Sequence, residues 1–163
     1  MDGSQPTHGA PLAIRALTDD DRQAIAAWHY SGDLSIYDPG SGALALHAPQ
    51  HVALLSGDGT LLGFGTMGPD ARVAGGHYDS AETVIDLGVG LCPAWVGEGH
   101  GSAALEALIE RVVSQGSATR LRVTIAAVNG RAIALAHKLG FQPSHRFTRT
   151  SDERVFVQYE RPL

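Results

Sequence analysis

The chain has 163 residues, of which 44% are hydrophobic and 18% are charged, and its formal net charge is −5. These proportions are typical of a globular protein, and the negative charge argues against a general nucleic-acid-binding protein, whose domain would be basic. Cys92 is the only cysteine, which excludes an internal disulfide. No apolar run approaches the roughly 20 residues that cross a bilayer, and no signal peptide opens the chain. We therefore expect a cytoplasmic protein with neither a membrane nor a nucleic-acid partner.

The first predicted elements are a strand and a helix. Residues 1–11 are mainly glycine, proline and polar residues, and we interpret them as a flexible leader to a single domain at residues 12–163. Alternating apolar residues over 12–17 predict a short strand. Thr18 suits the N-cap of a helix at residues 19–29. The three aspartates of its first turn match the helix dipole, which favours a helix start over a substrate site.

Aromatic residues are concentrated in the irregular segment 28–40, which contains Trp28, Tyr30 and Tyr37. Aromatic side chains in a loop fill the edge of a core, but loops on a scaffold also carry binding residues. Both interpretations of this segment stay open.

A hairpin and a loop follow this segment. Residues 51–55 and 61–67 read as strands, and the Asp58-Gly59 pair between them is a strong hairpin signal. Residues 68–80 predict a loop or a bulged continuation, in which we interpret His77 as a surface residue.

Residues 83–113 read as a strand, a glycine loop and a helix. The strand is β-branched and apolar, carries one carboxylate at Asp86, and stops at Pro93. The loop contains Gly97, Gly99 and Gly101. Apolar residues spaced three and four apart then mark one face of a helix: Leu105, Leu108, Ile109 and Val112. Because the N–H groups and dipole of a helix N-terminus attract anions, this loop predicts a phosphate site.

The glycine loops of two common nucleotide-binding folds differ from this stretch. A dinucleotide-binding fold has an acidic residue at the end of the next strand, whereas residues 121–127 end in alanines. A P-loop closes with lysine followed by serine or threonine, whereas this loop closes with Gly101-Ser102-Ala103.

The second half of the chain adds a parallel crossover. Residues 119–127 alternate as a strand, and Asn129 begins a helix that ends at Gly140, where a left-handed residue is wanted. Residues from Phe141 onward return to extended structure, with a last strand around residues 155–159. A hairpin gives antiparallel strands and a strand–helix–strand unit gives parallel ones, so we predict a mixed α/β sheet.

The glycine loop resembles a motif of the GNAT superfamily of acyl-CoA N-acyltransferases, written Gln/Arg-x-x-Gly-x-Gly/Ala. Residues 96–101, Val-Gly-Glu-Gly-His-Gly, match it except at Val96. Residues 129–141 resemble the closing motif of the same family, which runs from Asn129 to Gly140-Phe141. The two motifs together are more specific than either alone. Residues 86–93 and 123–129 further resemble a small subgroup of uncharacterised bacterial acetyltransferases.

The resemblance implies the GNAT fold, with six to seven strands, about four helices and splayed strands at a cofactor cleft. It implies acetyl-CoA as co-substrate, with no metal. The pyrophosphate would lie on backbone amides of the loop: Gly97, Glu98, Gly99, His100, Gly101 and Ser102. The pantetheine arm would contact Asn129 and the strand residues Val89, Gly90 and Leu91, where glycine also permits close backbone approach.

The catalytic residues are less clearly marked. The tyrosine acid of the family corresponds to Ala136, and its glutamate base corresponds to Ile85. Asp86 is the only carboxylate on the strand, and a buried carboxylate is either paired or functional. The candidate catalytic residues are therefore Asp86, Tyr30 and Tyr37, with His29 and Cys92 as alternates.

We interpret the chain as an acetyl-CoA-dependent N-acetyltransferase acting on an amine of a small molecule or a peptide end. The alternative is an acyl-CoA-binding regulatory module without turnover, suggested by Val96 and Ala136. A third hypothesis is a nucleotide-binding interaction module. A homodimer would be the commonest assembly.

Overall fold

The computed structural model describes residues 12–38, 51–78 and 83–163. The strands are β1 (Ala13–Ala16), β2 (His51–Leu55), β3 (Leu61–Met67), β4 (Val84–Leu91), β5 (Arg120–Ala126), β6 (Gln142–Arg149) and β7 (Arg154–Pro162). The α-helices are α1 (Asp19–Ala26), α2 (His100–Ser114) and α3 (Gly130–Lys138). Short 3₁₀ helices lie at Gly32–Tyr37, Pro69–Ala71 and Pro93–Trp95. The predicted leader lies outside the described residues.

All seven strands join one sheet in the order β1-β2-β3-β4-β5-β7-β6. β4 and β5 are parallel, and every other neighbouring pair is antiparallel. The predicted mixed α/β sheet is therefore confirmed. None of the helices in the described ranges is long and apolar enough to cross a membrane.

One face of the sheet is covered by α2 and α3. The predicted apolar face of α2 is buried there together with Ala136 of α3. These side chains pack against alternate residues of the central strands, including Leu87, Leu121 and Val123. This packing fixes the start of α2 beside the end of β4.

The opposite face is covered by shorter segments. Ile25 of α1 and Trp28 pack against Ala53 and Leu55, with Phe64 at the edge of this cluster. Ile36 of the first 3₁₀ helix packs near Phe156 in a separate cluster. The aromatic segment after α1 therefore crosses this face from β3 towards β7.

Most boundaries of the helices and strands agree with those predicted from the sequence, but the end of α1 does not. The two hairpin strands have the predicted bounds, and Thr18 is the N-cap of α1. The prediction that this helix reaches residue 29 is wrong, because it ends at Ala26. Trp28 leaves the helical path to stack on the ring of Phe64, with the ring centroids 6.1 Å apart.

Candidate active site

The sheet opens between its two parallel strands. Pairing of β4 with β5 runs from Val84 opposite Arg120 to Leu87 opposite Val123 and then stops. β4 continues to Leu91 along β3, and β5 continues to Ala126 along β7. The two strands therefore separate towards their carboxyl ends and leave a cleft between them.

The free edge of β4 presents backbone groups to this cleft. The carbonyl of Asp86 accepts from Gly68 and the N–H of Cys92 donates to Leu62, both on the β3 side. Because backbone groups alternate in direction along an antiparallel strand, Val89 and Leu91 direct their N–H and carbonyl groups towards the cleft. Gly90 faces the β3 side in the same alternation.

Packing explains the glycine at position 90. A Cβ at Gly90 would lie 2.3 Å from Cε1 of Phe64, which covers it from the neighbouring strand. A Cβ at Gly88 would meet its neighbours at 3.7 Å, an ordinary contact distance. Gly90 is therefore required by the aromatic cluster below the cleft.

The cleft leads to the glycine loop and the start of α2. Gly97 and Gly99 have φ angles of 82° and 85°, in the left-handed region that favours glycine. Gly99 is the N-cap of α2 and offers no side chain to the first N–H groups of this 15-residue helix. Glu98 is exposed and His100 is buried, its ring against that of Trp95. The loop is suited to bind an anion through backbone N–H groups.

A cation from α3 lies over this loop, and the sequence analysis missed it. A Cβ at Gly97 would lie 2.9 Å from Nη1 of Arg131, so the guanidinium rests on the loop backbone. Within the residues that the structure describes, no carboxylate pairs with Arg131. The sequence shows that Arg131 lies in the first turn of α3. It does not show that Arg131 reaches the glycine loop, because that depends on how α2 and α3 pack against each other.

Asn129 makes two contacts at the other side of the cleft. Its Oδ1 accepts from the N–H of Ala132, 3.2 Å away, and thereby caps α3. Its Nδ2 donates to the hydroxyl of Tyr37 at 3.3 Å. The prediction that Asn129 begins this helix is confirmed.

Two tyrosines join the aromatic segment to the two edges of the cleft. The hydroxyl of Tyr30 donates to the carbonyl of Leu91 at 2.6 Å, on the β4 side. The hydroxyl of Tyr37 accepts from the N–H of Ala126 at 3.1 Å, on the β5 side. The segment that contains them thus crosses the mouth of the cleft.

These features agree with one family. A model of the acetyltransferase (GNAT) family matches residues 14–141, which is most of the chain. The chain belongs to the GNAT acetyltransferase family. No protein in the search of curated proteins matches it significantly in sequence.

Solved GNAT structures have the same fold. The acetyltransferase (GNAT family) from Bacillus anthracis aligns with a TM-score of 0.71 at 16% identity, over 93% of this chain and 95% of that chain. A spermidine N-acetyltransferase chimera from Vibrio cholerae and hSSAT gives 0.71 at 12% identity, over 94% and 96%. The aminoglycoside acetyltransferase AAC(6')-Ib in complex with coenzyme A gives 0.70 at 17%, over 93% and 94%. At these identities the likeness shows the fold alone.

Asp86 of this GNAT protein lies in a buried ion pair. Its side chain is 2% exposed and that of Arg122 is 3% exposed. Arg122 donates through Nε and Nη2 at 2.6 and 2.9 Å, and Arg72 donates through Nε at 2.8 Å. Both carboxylate oxygens are therefore occupied by guanidinium groups. This geometry favours a structural role that joins β4, β5 and the loop after β3, although Asp86 as a base stays a prediction.

The environment of Tyr30 keeps its hydroxyl protonated. Burial, followed by the nearby Cys92 and Asp38, raises the pKa of Tyr30. The hydrogen is also directed to the carbonyl of Leu91. Tyr30 is therefore a weaker acid than a free tyrosine and is better suited to hold the end of β4.

Tyr37 is placed differently. Its oxygen accepts from two donors, Ala126 and Asn129. In the described part of the chain no acceptor takes its own O–H. A hydroxyl whose lone pairs are occupied has its hydrogen left to donate, so Tyr37 is the better placed of the two tyrosines to supply a proton.

The remaining candidates lie at the margins. His29 is exposed and contacts Asp38 through Nδ1 at 3.2 Å, and Cys92 is half-buried. Ala136 is buried in the core beneath α3. His77 is exposed, as interpreted from the sequence; its backbone is bonded by the buried side chain of Gln158.

Proposed function

We propose that this GNAT protein is an N-acetyltransferase that moves the acetyl group of acetyl-CoA to an amine of a small molecule or a peptide end. The observation that carries the proposal is the cleft between β4 and β5, which leads directly into the left-handed glycine loop at the start of α2. Family membership supports acetyl transfer in general. The groups that line the cleft support acetyl-CoA as the donor and an amine as the acceptor.

The loop is suited to hold the pyrophosphate of the co-substrate. Backbone N–H groups from Gly97 to Ser102 surround the start of α2, where the helix dipole adds to their attraction for an anion. Arg131 supplies a positive charge beside the loop that Val96 does not. This cation offsets the exposed carboxylate of Glu98.

The edge of β4 is suited to hold the pantetheine arm and the thioester. Val89 and Leu91 direct backbone N–H groups into the cleft, where they can bond the arm and the carbonyl oxygen on which charge develops. Asn129 lies across the cleft. Its Nδ2 is within reach of Tyr37, so an arm bound there would lie beside the tyrosine hydroxyl.

Acetyl transfer needs a neutral amine, a donor to the developing oxyanion and a proton for the departing thiolate. We assign the proton to Tyr37, because among the described residues no acceptor takes its O–H, whereas the O–H of Tyr30 is directed to the carbonyl of Leu91. Tyr30 holds the carbonyl of Leu91 and thereby orients the edge of β4. We assign to Asp86 the joining of β4 to β5 below the cleft. Much of the rate would come from holding the two reactants together.

The test is release of the CoA thiol from acetyl-CoA over a broad panel of amines, with the acetylated products identified by mass spectrometry. We expect amine-dependent thiol release. If the protein binds acetyl-CoA but acetylates no amine, the non-catalytic acyl-CoA-binding module is correct instead. If ATP or NAD displaces CoA at equal concentration, a nucleotide-binding module is correct.

A further inference from the structure

A pocket of about 300 Å³ lies at the carboxyl end of β5. Its lining is mainly aliphatic, and the apolar members are Ile36, Ala126, Ala127, Val128 and Val155. Arg146 and Arg154 also border the pocket, but the register of β6 with β7 places these two residues on opposite faces of the ladder. Arg154 is in addition paired with Asp152 at 3.4 Å. The pocket therefore presents aliphatic surface rather than a charged site.

Apolar side chains are exposed to solvent around this pocket. Val128 is 54% exposed and Tyr37 is 37% exposed. The other exposed large hydrophobic residues of the described ranges lie elsewhere: Val113 is near the end of α2, and Leu163 is bonded to Thr119, which precedes β5. Exposed apolar surface beside a concave site is a mark of ligand binding.

The pocket adjoins the tyrosine to which we assign the proton. Ala126 lines the pocket, and its N–H donates to the Tyr37 hydroxyl at 3.1 Å. Ile36, which directly precedes Tyr37, packs on the cluster that contains Ala126. A group held in the pocket would therefore lie next to the tyrosine hydroxyl, where the amine reacts in the proposed function.

We propose that the acceptor amine carries a compact apolar group, such as a branched aliphatic or a phenyl side chain, and that this group lies in the pocket. This inference rests on the proposed function and deepens it. Burial of such a group removes apolar surface of both the pocket and the ligand from water. The pocket volume, at the low end for small-molecule sites, matches a side chain rather than an extended ligand.

A polyamine or an aminoglycoside fits this pocket less well. Either would bring charged or polar groups against aliphatic side chains, and the described lining residues include no carboxylate to pair with them. Burial of an unpaired charge is costly.

The test compares glycinamide, leucinamide and phenylalaninamide as acceptors, because these amines share the α-amino group and differ in the apolar side chain. Spermidine is included as a polycation. We expect kcat/KM to be about tenfold or more higher for leucinamide and phenylalaninamide than for glycinamide, because burial of a side chain of that size contributes this much. Equal values, or preference for glycinamide or spermidine, would overturn the inference while leaving acetyl transfer established.

Two variants of the lining locate the apolar group. Val128→Thr and Val155→Thr place a hydroxyl where a methyl group lines the pocket and change the shape of the side chain little. We expect each to lower the preference for leucinamide over glycinamide about threefold or more, through KM. Val113→Thr makes the same change at a similarly exposed position of α2, 51% exposed, and should leave the preference unchanged. If the preference persists in both pocket variants, the apolar group binds elsewhere and the inference is wrong.

The acyl group of the donor is a second apolar group that could enter the pocket. Kinetics with hexanoyl-CoA and glycinamide distinguish the two sources. If Val155→Thr lowers kcat/KM for hexanoyl-CoA but leaves the preference among acceptors as in wild type, the pocket serves the donor and the inference is overturned.

Failure of the proposed function is read separately. If no amine is acetylated, calorimetry with N-acetylleucinamide and N-acetylglycinamide, in the presence of CoA, still decides the ligand of the pocket. Tighter binding of the leucine compound that Val155→Thr weakens supports the apolar ligand. Equal or absent binding of both compounds overturns it.

Discussion

Tyr37 is the residue whose contacts bear most directly on the chemistry. Its oxygen receives two N–H donors, and no acceptor in the described ranges takes its own hydrogen. The sequence indicated Tyr30 and Tyr37 as candidates but could not choose between them. The choice depends on which tyrosine donates to a carbonyl, and that is set by the path of an irregular segment across the sheet.

The change Tyr37→Phe removes the proposed proton donor and keeps the ring. We expect kcat to fall by about tenfold to a hundredfold, at the low end of general acid catalysis because a thiolate leaves readily, with little change in affinity for acetyl-CoA. Steady-state kinetics and calorimetry measure the two effects. Tyr30→Phe is the matched variant and should lower kcat less. A larger loss in Tyr30→Phe would exchange the two roles.

Asp86 could be singled out as a buried carboxylate from the sequence, but its partners could not. Arg122 lies on the next strand and becomes its neighbour only through the register of β4 with β5. The sequence therefore left both a catalytic and a paired Asp86 open. The two guanidinium partners favour the paired state.

The change Asp86→Asn should destabilise the fold by about 3 kcal/mol, because it removes the charge that accepts two hydrogen bonds from the buried Arg122 and leaves that guanidinium with only the more distant Glu160, 3.6 Å from its Nη1. Denaturant unfolding of wild type and variant measures this loss. Asp152→Asn, which removes an exposed aspartate that also contacts two arginines, should have little effect. A stable Asp86→Asn variant with a pH-dependent loss of turnover would instead make Asp86 the base.

At the scale of elements, local signals predicted most strands and helix starts. The hairpin was fixed by Asp58-Gly59, and α3 by Asn129 and Gly140, since each signal acts within a few residues. The end of α1 was not predictable in this way. It is set by the docking of Trp28 on Phe64, a contact between distant parts of the chain.

The start of α1 gives a prediction about pH. Arg15 and Thr18 hydrogen-bond the carboxylate of Asp21, and the Arg15 guanidinium lowers its pKa to about 2. This lies below the unfolded value of about 3.9, so the stabilisation is present at neutral pH and is lost as pH falls towards 2. Asp21→Asn should cost about 1 to 2 kcal/mol at pH 7. Unfolding at several pH values should show this difference shrinking from about pH 4 to pH 2; a constant difference would contradict it.

At the scale of the whole molecule, the mixed sheet followed from a hairpin and one crossover, but the cleft did not. The point at which β4 leaves β5 depends on sheet twist and on packing between distant parts of the chain. The sequence indicated a splay only through resemblance to the family. We propose residues 12–163 as a single domain, because all seven strands join one sheet. The cytoplasmic location and the homodimer stay predictions.

The central claim is that the glycine loop binds acetyl-CoA, and calorimetric titration of wild type, Gly99→Glu and Gly116→Glu with acetyl-CoA and free CoA tests it most directly. Gly116 follows α2, has a φ of 74° and has open space around it, so its variant carries the same backbone strain and charge at the other end of the helix. We expect micromolar binding in wild type and Gly116→Glu, and none in Gly99→Glu. Equal affinity in all three folded proteins, or no binding in wild type, would contradict the account.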